Sequence, residues 1–233
     1  TTSGVGNEAI DIVGNSGTST ITNNGSITTS GTDSNGVWFE NNTGTGTIIN
    51  TGTISLGDQG RGIWSYSNSG TVTMTNSGTI TTSGQWGHGL ESFNNSGTVT
   101  MTNSGTLTTS GGAKASGFFS YRAADGSTNT LLNTGTITTS GATGYGMESL
   151  DSLSGSTSTL TNSGTITTSG DGASGIRSKS NSGTITLTNS GTITTSGGDA
   201  SGMHSLSNSG TETITNSGTI TTTDGHGIHS DTN

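Results

Sequence analysis

The sequence predicts an all-β chain wound as a right-handed parallel β-helix, with three short strands per coil of about 27 residues and roughly eight coils. Three observations carry this. The nonapeptide Asn-Ser-Gly-Thr-Ile-Thr-Thr-Ser-Gly stands intact at Asn76–Gly84, Asn162–Gly170 and Asn189–Gly197, and variants of it recur from end to end. Its central glycines, Gly25, Gly52, Gly78, Gly105, Gly135, Gly164, Gly191 and Gly218, are spaced by 27, 26, 27, 30, 29, 27 and 27 residues. A fixed period of this size marks a solenoid, in which no repeat buries its apolar side alone. Composition is the third observation. With 42 Gly, no Pro and only 23% hydrophobic residues, the chain cannot fill a wide globular core, whereas a narrow coil needs few apolar residues per turn. Disorder is the competing reading, but disordered chains are charged, and here only 8% of residues are charged while Thr and Ile stand at regular positions.

The unit that begins at Gly175 shows the elements in order. Segment A is Ile176-Arg177-Ser178-Lys179, and a corner follows at Asn181-Ser182-Gly183. Segment B is Thr184-Ile185-Thr186-Leu187-Thr188, with a second corner at Asn189-Ser190-Gly191. Segment C is Thr192-Ile193-Thr194-Thr195, and the variable residues from Ser196 to Ser201 form a third corner before Gly202. Each segment alternates apolar and polar residues, the period of a strand with one buried face. Gly and Asn at the corners are expected to supply positive φ. The first coil is irregular, with Ala9 before its segment A, Ile10-Asp11-Ile12-Val13. Insertions near Gly111–Ser116, Ala123–Ser127 and Asp151–Ser156 read as loops protruding at corners.

Equivalent positions form columns. Segment C gives Ile80, Leu107, Ile137, Ile166, Ile193 and Ile220, preceded by Ile27 and Ile54. Segment B gives Ile48, Met74, Met101, Leu131, Leu160 and Leu187, and segment A gives Val37, Ile63, Leu90, Phe118, Met147, Ile176 and Met203. These are the expected core ladders. Asn76, Asn103, Asn133, Asn162, Asn189 and Asn216 stack at the second corner, where their amides can hydrogen-bond from coil to coil. A serine column, Ser65 to Ser230, is expected to face inward.

The net charge of −9, with five Lys and Arg in all, leaves no basic footprint for nucleic acid or anionic lipid. No apolar run is long enough to span a membrane. Residues 1–233 read as a single solenoid segment of a longer repeat chain. Thr1–Gly4 matches the end of a segment C, and Gly227–Asn233 matches a segment A with its corner begun. Unpaired strand edges template further pairing. The segment is therefore expected either to continue in the same polypeptide or to be completed by a neighbouring chain, and to associate end to end when isolated.

Segments B and C expose threonine pairs such as Thr71/Thr73, Thr98/Thr100, Thr184/Thr186 and Thr192/Thr194. Flat Thr-x-Thr arrays resemble the ice-binding face of hyperactive antifreeze proteins, yet Thr is also the polar residue that best suits an exposed strand, and two faces carry it. Segment A differs. Its outward positions include Trp38, Trp64, Tyr66, Phe93, Phe119 and Tyr121, the expected lateral contact stripe. Covering the edge of the third corner, or packing against its loops, is the structural alternative. His226 and His229 form H-x-x-H with His204 one coil away, but no third ligand is evident, and no metal or cofactor is expected. Glu40, Glu91 and Glu148 are scattered over separate coils, and no Walker loop, G-x-S-x-G or calcium nonapeptide is present, so no catalytic residue is expected.

The run Asn-Ser-Gly-Thr-Ile-Thr-Thr-Ser-Gly followed by a short loop and Gly-Ile or Gly-Met, at Asn162–Ile176 and Asn189–Met203, resembles the passenger-domain repeats of bacterial autotransporters. Similar repeats occur in other large surface adhesins. The resemblance implies a parallel β-helix stalk on a Gram-negative cell surface, commonly used in adhesion. The expected function is thus a structural and adhesive repeat, extracellular or at the bacterial surface. Its partner would be a host-cell, surface or matrix ligand, protein or glycan, or a second copy. A self-assembling extracellular filament and an ice-binding protein are the alternatives.

The column assignment makes a direct prediction. Ile193→Asp places an unpaired charge in a core ladder and should cost about 3–5 kcal/mol. Thr194→Asp on the outward side should change stability by about 0.5 kcal/mol or less. Thermal melts that drop equally for the two variants would mean the facing is reversed.

Overall fold

The structure, a computed structural model, describes residues 1–231, so the last two positions of the 1–233 segment lie outside it. Twenty-five strands and no helix are found among the described residues. They wind as a right-handed solenoid of about eight coils, ~27 residues per turn. Every third strand belongs to the same sheet. Face A has nine strands from Ile10–Val13 to Ile228–Asp231, face B eight from Thr18–Asn23 to Glu212–Asn216, and face C eight from Ser26–Thr29 to Thr219–Asp224. All pairings are parallel, and equivalent residues meet in register: Met74↔Met101, Ile166↔Ile193, Ser65↔Ser92. One shift occurs, where the strand Thr192–Gly198 runs past the expected segment C and bulges between Thr195 and Gly198. Near the start of the chain, Thr2 bridges to Thr29 at the end of the first face C strand.

In-register stacking explains the asparagine corner. From Asn23 to Asn216, each Nδ2 donates to the Oδ1 of its equivalent one coil on, at 2.7–2.9 Å. The same residues carry the backbone across the bend. The carbonyl of Asn76, for instance, accepts the N–H groups of Ser104 at 2.8 Å and Gly105 at 3.1 Å. A corner excludes water yet bends the main chain away from its ladder, so its polar groups need a partner that repeats with the coil. Asn offers two donors and an acceptor with no charge. A column of Asp would stack like charges, and a column of Leu would leave buried carbonyls unmet.

A second amide column sits at the first corner, where the sequence reading saw only a turn. Backbone N–H groups of Asn15, Asn42 and Asn68 donate to the Oδ1 of Asn42, Asn68 and Asn95 at 2.6–2.7 Å. It resumes with Ser152 and Asn181, whose N–H groups donate to Asn181 and Asn208. Ala123 interrupts it at the insertion.

The role expected of the corner glycines is corrected. Those of the Asn-Ser-Gly corners do not adopt positive φ. They are needed for close approach: a Cβ on Gly105 would lie 2.1 Å from the Gly78 carbonyl oxygen below it. The left-handed conformation instead recurs one residue after the first eight face A strands, at Gly14, Asn41, Ser67, Asn94, Arg122, Asp151, Ser180 and Ser207, and at least once in each third corner from Gly6 to Asp199. Third corners are pinned by an inward threonine. Thr82, Thr109, Thr139, Thr168 and Thr195 donate Oγ1 to a carbonyl five or six residues on, at 2.5–2.7 Å.

The core is one narrow column. Each inner coil places one large apolar residue from each face at the axis, such as Leu90, Met101 and Leu107, all fully buried. The remaining inward positions of face A hold Ser65, Ser92, Ser120, Ser149, Ser178 and Ser205, all buried. In the second coil Phe39 replaces serine, and the facing face B position is Gly46, where a Cβ would lie 2.3 Å from the Phe39 ring. The next two coils reverse the sizes, Ser65 with Val72 and Ser92 with Val99. At these three coils volume lost on one face is regained on the other, whereas the sixth coil sets two small residues there, Ser149 and Ser158.

This exchange predicts a double-mutant outcome. Phe39→Ser should cost about 3–5 kcal/mol through the cavity it leaves. Gly46→Val alone should also destabilise, because its side chain meets the ring. The double variant reproduces the neighbouring coils and should recover at least ~2 kcal/mol of the summed losses, measured by chemical denaturation. Strict additivity would refute the size compensation.

Candidate functional site

Two faces of the prism are built alike. Faces B and C present threonines outward, in register from coil to coil, as in Thr73↔Thr100 and Thr167↔Thr194. Face A departs from this, and the structure brings its aromatic residues into one chain of ring contacts. Trp38 stacks on Trp64 with centroids 5.0 Å apart and planes at 15°. Trp64 meets Tyr66 edge-on at 5.3 Å, Tyr66 meets Phe93 at 5.3 Å, and Phe93 meets Tyr121 at 4.9 Å. Tyr121 in turn stacks on Phe119 at 5.8 Å. In-register strands place equivalent side chains about 4.8 Å apart, which is the spacing of ring contact. Two guanidinium groups lie over these rings, Arg61 on Trp64 at 4.2 Å and Arg122 on Tyr121 at 5.0 Å.

The six are not equally accessible. Trp38, Trp64, Tyr66, Phe93 and Tyr121 are half-buried, while Phe119 is only 5% exposed. Phe119 points outward, but His88 from a third corner lies flat on it, 4.3 Å away at 18°. The same overhang covers the carboxylates on either side of Phe119 in the sheet, Glu91 and Glu148. Glu91 accepts from Arg61 Nε at 2.6 Å, and Glu148 accepts from Arg177 Nη1 at 2.9 Å. Burial outweighs the guanidinium in each case and pushes both carboxyls up to about 7. The His88 imidazole is held well below its usual range, by burial first and the Arg61 charge second, while its Nδ1 accepts the Ser116 N–H at 3.0 Å.

The corner residues that build this overhang were not singled out from the sequence. Trp86, Lys114 and Tyr145 sit in third corners that elsewhere hold Gly, Ser and Asp, as in Gly197–Ala200. Lys114 Nζ lies 4.4 Å above the Trp86 ring, and the Arg177 guanidinium 4.5 Å from Tyr145. Bulky residues in otherwise small-residue turns were the available signal.

The residues able to hold a metal lie further along face A. His204, His229 and Asp231 place their ligand atoms within 4.8 Å of one another, and the two imidazoles stack at 4.9 Å. Asp231 is the third donor that H-x-x-H did not reveal. It follows His229 by two residues and so shares its side of the strand. His226 lies against His229 at 4.7 Å but outside that set of three. His204 is held below its usual pKa, chiefly by burial and then by Arg177, which keeps it in the neutral form that ligation requires.

The family model described as BigA fourth domain matches residues 62–211. That stretch is nearly two thirds of the chain and runs from the third coil to the eighth. The chain belongs to the BigA fourth domain family. No curated protein and no solved structure matches it. Membership and the solenoid fold are compatible with a bacterial surface repeat protein. No helix among the described residues is long and apolar enough to cross a membrane.

The buried carboxylates of this family member predict a pH dependence. Each has a folded pKa near 7 against an ordinary 4.5, so the folded state binds protons that the unfolded chain has released. The stabilisation is complete below about pH 4.5 and is lost as pH rises through about 7. Glu91→Gln and Glu148→Gln should therefore each flatten the fall in melting temperature between those limits, relative to the parent chain. Parallel melting curves for parent and variants would show that the carboxylates are ionised throughout.

Proposed function

We propose that this chain is a stalk segment of an adhesive cell-surface protein, carried outside a Gram-negative cell in the manner of an autotransporter passenger. Its face A makes the adhesive contact, and its partner is a host-cell, surface or matrix ligand, protein or glycan. The observation that carries the reading is the run of touching aromatic rings across four consecutive coils, on the one face not given to threonine. Aromatic residues dominate contact energies because they supply large rigid area at little entropic cost. The parallel stack gives that surface a stiff backing, since every coil is bonded to the next along all three faces. A binding role without catalysis fits the carboxylates as well. Glu91 and Glu148 are each committed to a buried ion pair, and Phe119 stands between them.

The test replaces Trp64 and Tyr66 together by Thr, the residue the other two faces use. The double variant should keep its β circular dichroism and lose roughly tenfold or more in binding to cultured cells or matrix-coated surfaces. Undiminished binding by a folded double variant would overturn the assignment of face A.

A further inference from the structure

Beside the aromatic row, where face A meets the third corner, lies a cleft of about 260 Å³. That is close to the ~300 Å³ lower end of small-ligand sites and suits one ring with its substituents rather than a length of peptide. It is lined by the buried stacked pair His88 and Phe119, by the more exposed Trp86 and Lys114, and by Arg177 and Lys179.

Charge sets this cleft apart. The chain carries a net −9 and only five Lys and Arg, yet three of those five line the cleft. One carboxylate lines it, Glu148, and Arg177 already neutralises that group. Lys114 and Lys179 make no ion pair among the described residues. Arg177 has a further donor to give, since its Nε is buried without an acceptor. A buried unmet donor costs about 1–3 kcal/mol, more when charged, and an anionic oxygen would satisfy it.

The backbone points the same way. Trp86, Lys114 and Thr143, all lining residues, occupy the left-handed corner position on three successive coils, at φ of 63°, 66° and 52°. Elsewhere in that column stand Gly6, Asp33, Gln59, Gly172 and Asp199, of which all but Gln59 tolerate the conformation. A β-branched Thr and a Trp are strained there, by about 1 kcal/mol or more each. In this column a Trp and a β-branched Thr occur only at the cleft, which marks those side chains rather than the turn as what is needed.

We propose that this cleft binds an acidic sugar residue, a pyranose bearing a carboxylate or sulfate, with Lys114 and Lys179 on the anion and Trp86 against the ring. Trp86 is the most exposed aromatic ring of the cleft, at 37%, and such a ring suits the C–H face of a pyranose. The inference deepens the adhesive reading and rests on it for its setting, because it names the ligand class the surface would meet.

Isothermal titration of the 233-residue chain tests it, with sialyllactose, a hyaluronan tetrasaccharide and a heparin tetrasaccharide as acidic probes. Lactose and a Glu-rich hexapeptide are the controls. At least one acidic sugar should bind ten times or more tighter than lactose and the peptide, with affinity falling as salt rises. The carboxylated and sulfated probes separate the two sources of negative charge. Lys179→Ala and Lys114→Gly should each weaken binding about tenfold, a change of ~1.4 kcal/mol. Lys114→Gly also relieves a left-handed residue, so its melting temperature should hold or rise as binding falls. Equal affinity for lactose, tighter binding of the peptide, full affinity in the doubly substituted chain, or no binding at about 10 mM sugar would each overturn the proposal. The parent chain separates the two readings: cell binding without acidic-sugar binding leaves adhesion standing and removes the cleft, and sugar binding without cell binding does the reverse. Neither Trp64 nor Tyr66 lines the cleft, so the Trp64→Thr, Tyr66→Thr chain should keep its sugar affinity as its cell binding falls.

Discussion

Each corner must hand its backbone hydrogen bonds to the coil above, and the rest of the structure depends on that requirement being met at a fixed repeat. The asparagine ladder from Asn23 to Asn216 meets it by linking amide to amide while the same residues' carbonyls receive the next turn. A ladder of this kind works only if neighbouring coils are in register, because a slip of one residue would turn every side chain to the other face. Register in turn demands that corner glycines such as Gly105 have no Cβ, since the carbonyl below lies 2.1 Å from where it would be. Sequence monotony is therefore a consequence of stacking. An Asn, a Gly and an inward Ile are repeated because each is bonded to, or packed on, its own copy.

The same constraint limits the core. Three short faces enclose an axis only a few side chains wide, so apolar content stays low and polar residues must fill part of the interior. Many of them tie their hydroxyls to local carbonyls or to Asn, as Thr168 does and as Ser92 does with Asn95, while the buried hydroxyls of Ser120 and Ser158 have no partner. Where a large ring enters, as Phe39 does, the residue opposite gives up its whole side chain at Gly46.

A scaffold so repetitive leaves little freedom except at outward positions and in the third corner. Both are used on face A. Aromatic rings touch along four coils, and bulky corner residues fold over the side chains next to them. This overhang buries Glu91 and Glu148, pairs each with an arginine, and gathers most of the chain's few cations at one cleft. Departures from the repeat thus fall together in space although they are spread from Trp38 to Lys179 in the chain.

The sequence by itself determined the winding, the three faces and the columns. Period and alternation are local properties, and stacking copies them without change, so Ile193 and Asn189 could be placed before any coordinates. The aromatic row was legible for the same reason, since equivalent outward positions on adjacent coils must be neighbours. Tertiary structure decided what the corners do. Whether Gly105 serves a left-handed turn or a close approach depends on where the next coil's carbonyl falls. The covering of Phe119 depends on how far the corner bearing His88 leans over the sheet. Trp86, Lys114 and Tyr145 stand in irregular turns where no period predicts direction, so their meeting with Arg177 and Lys179 was not legible. Asp231 joined His204 and His229 only once the two strands were laid side by side. Periodic residues are fixed by their neighbours one coil away, and a periodic sequence states those neighbours outright. Aperiodic ones are fixed by contacts that only the folded chain brings together.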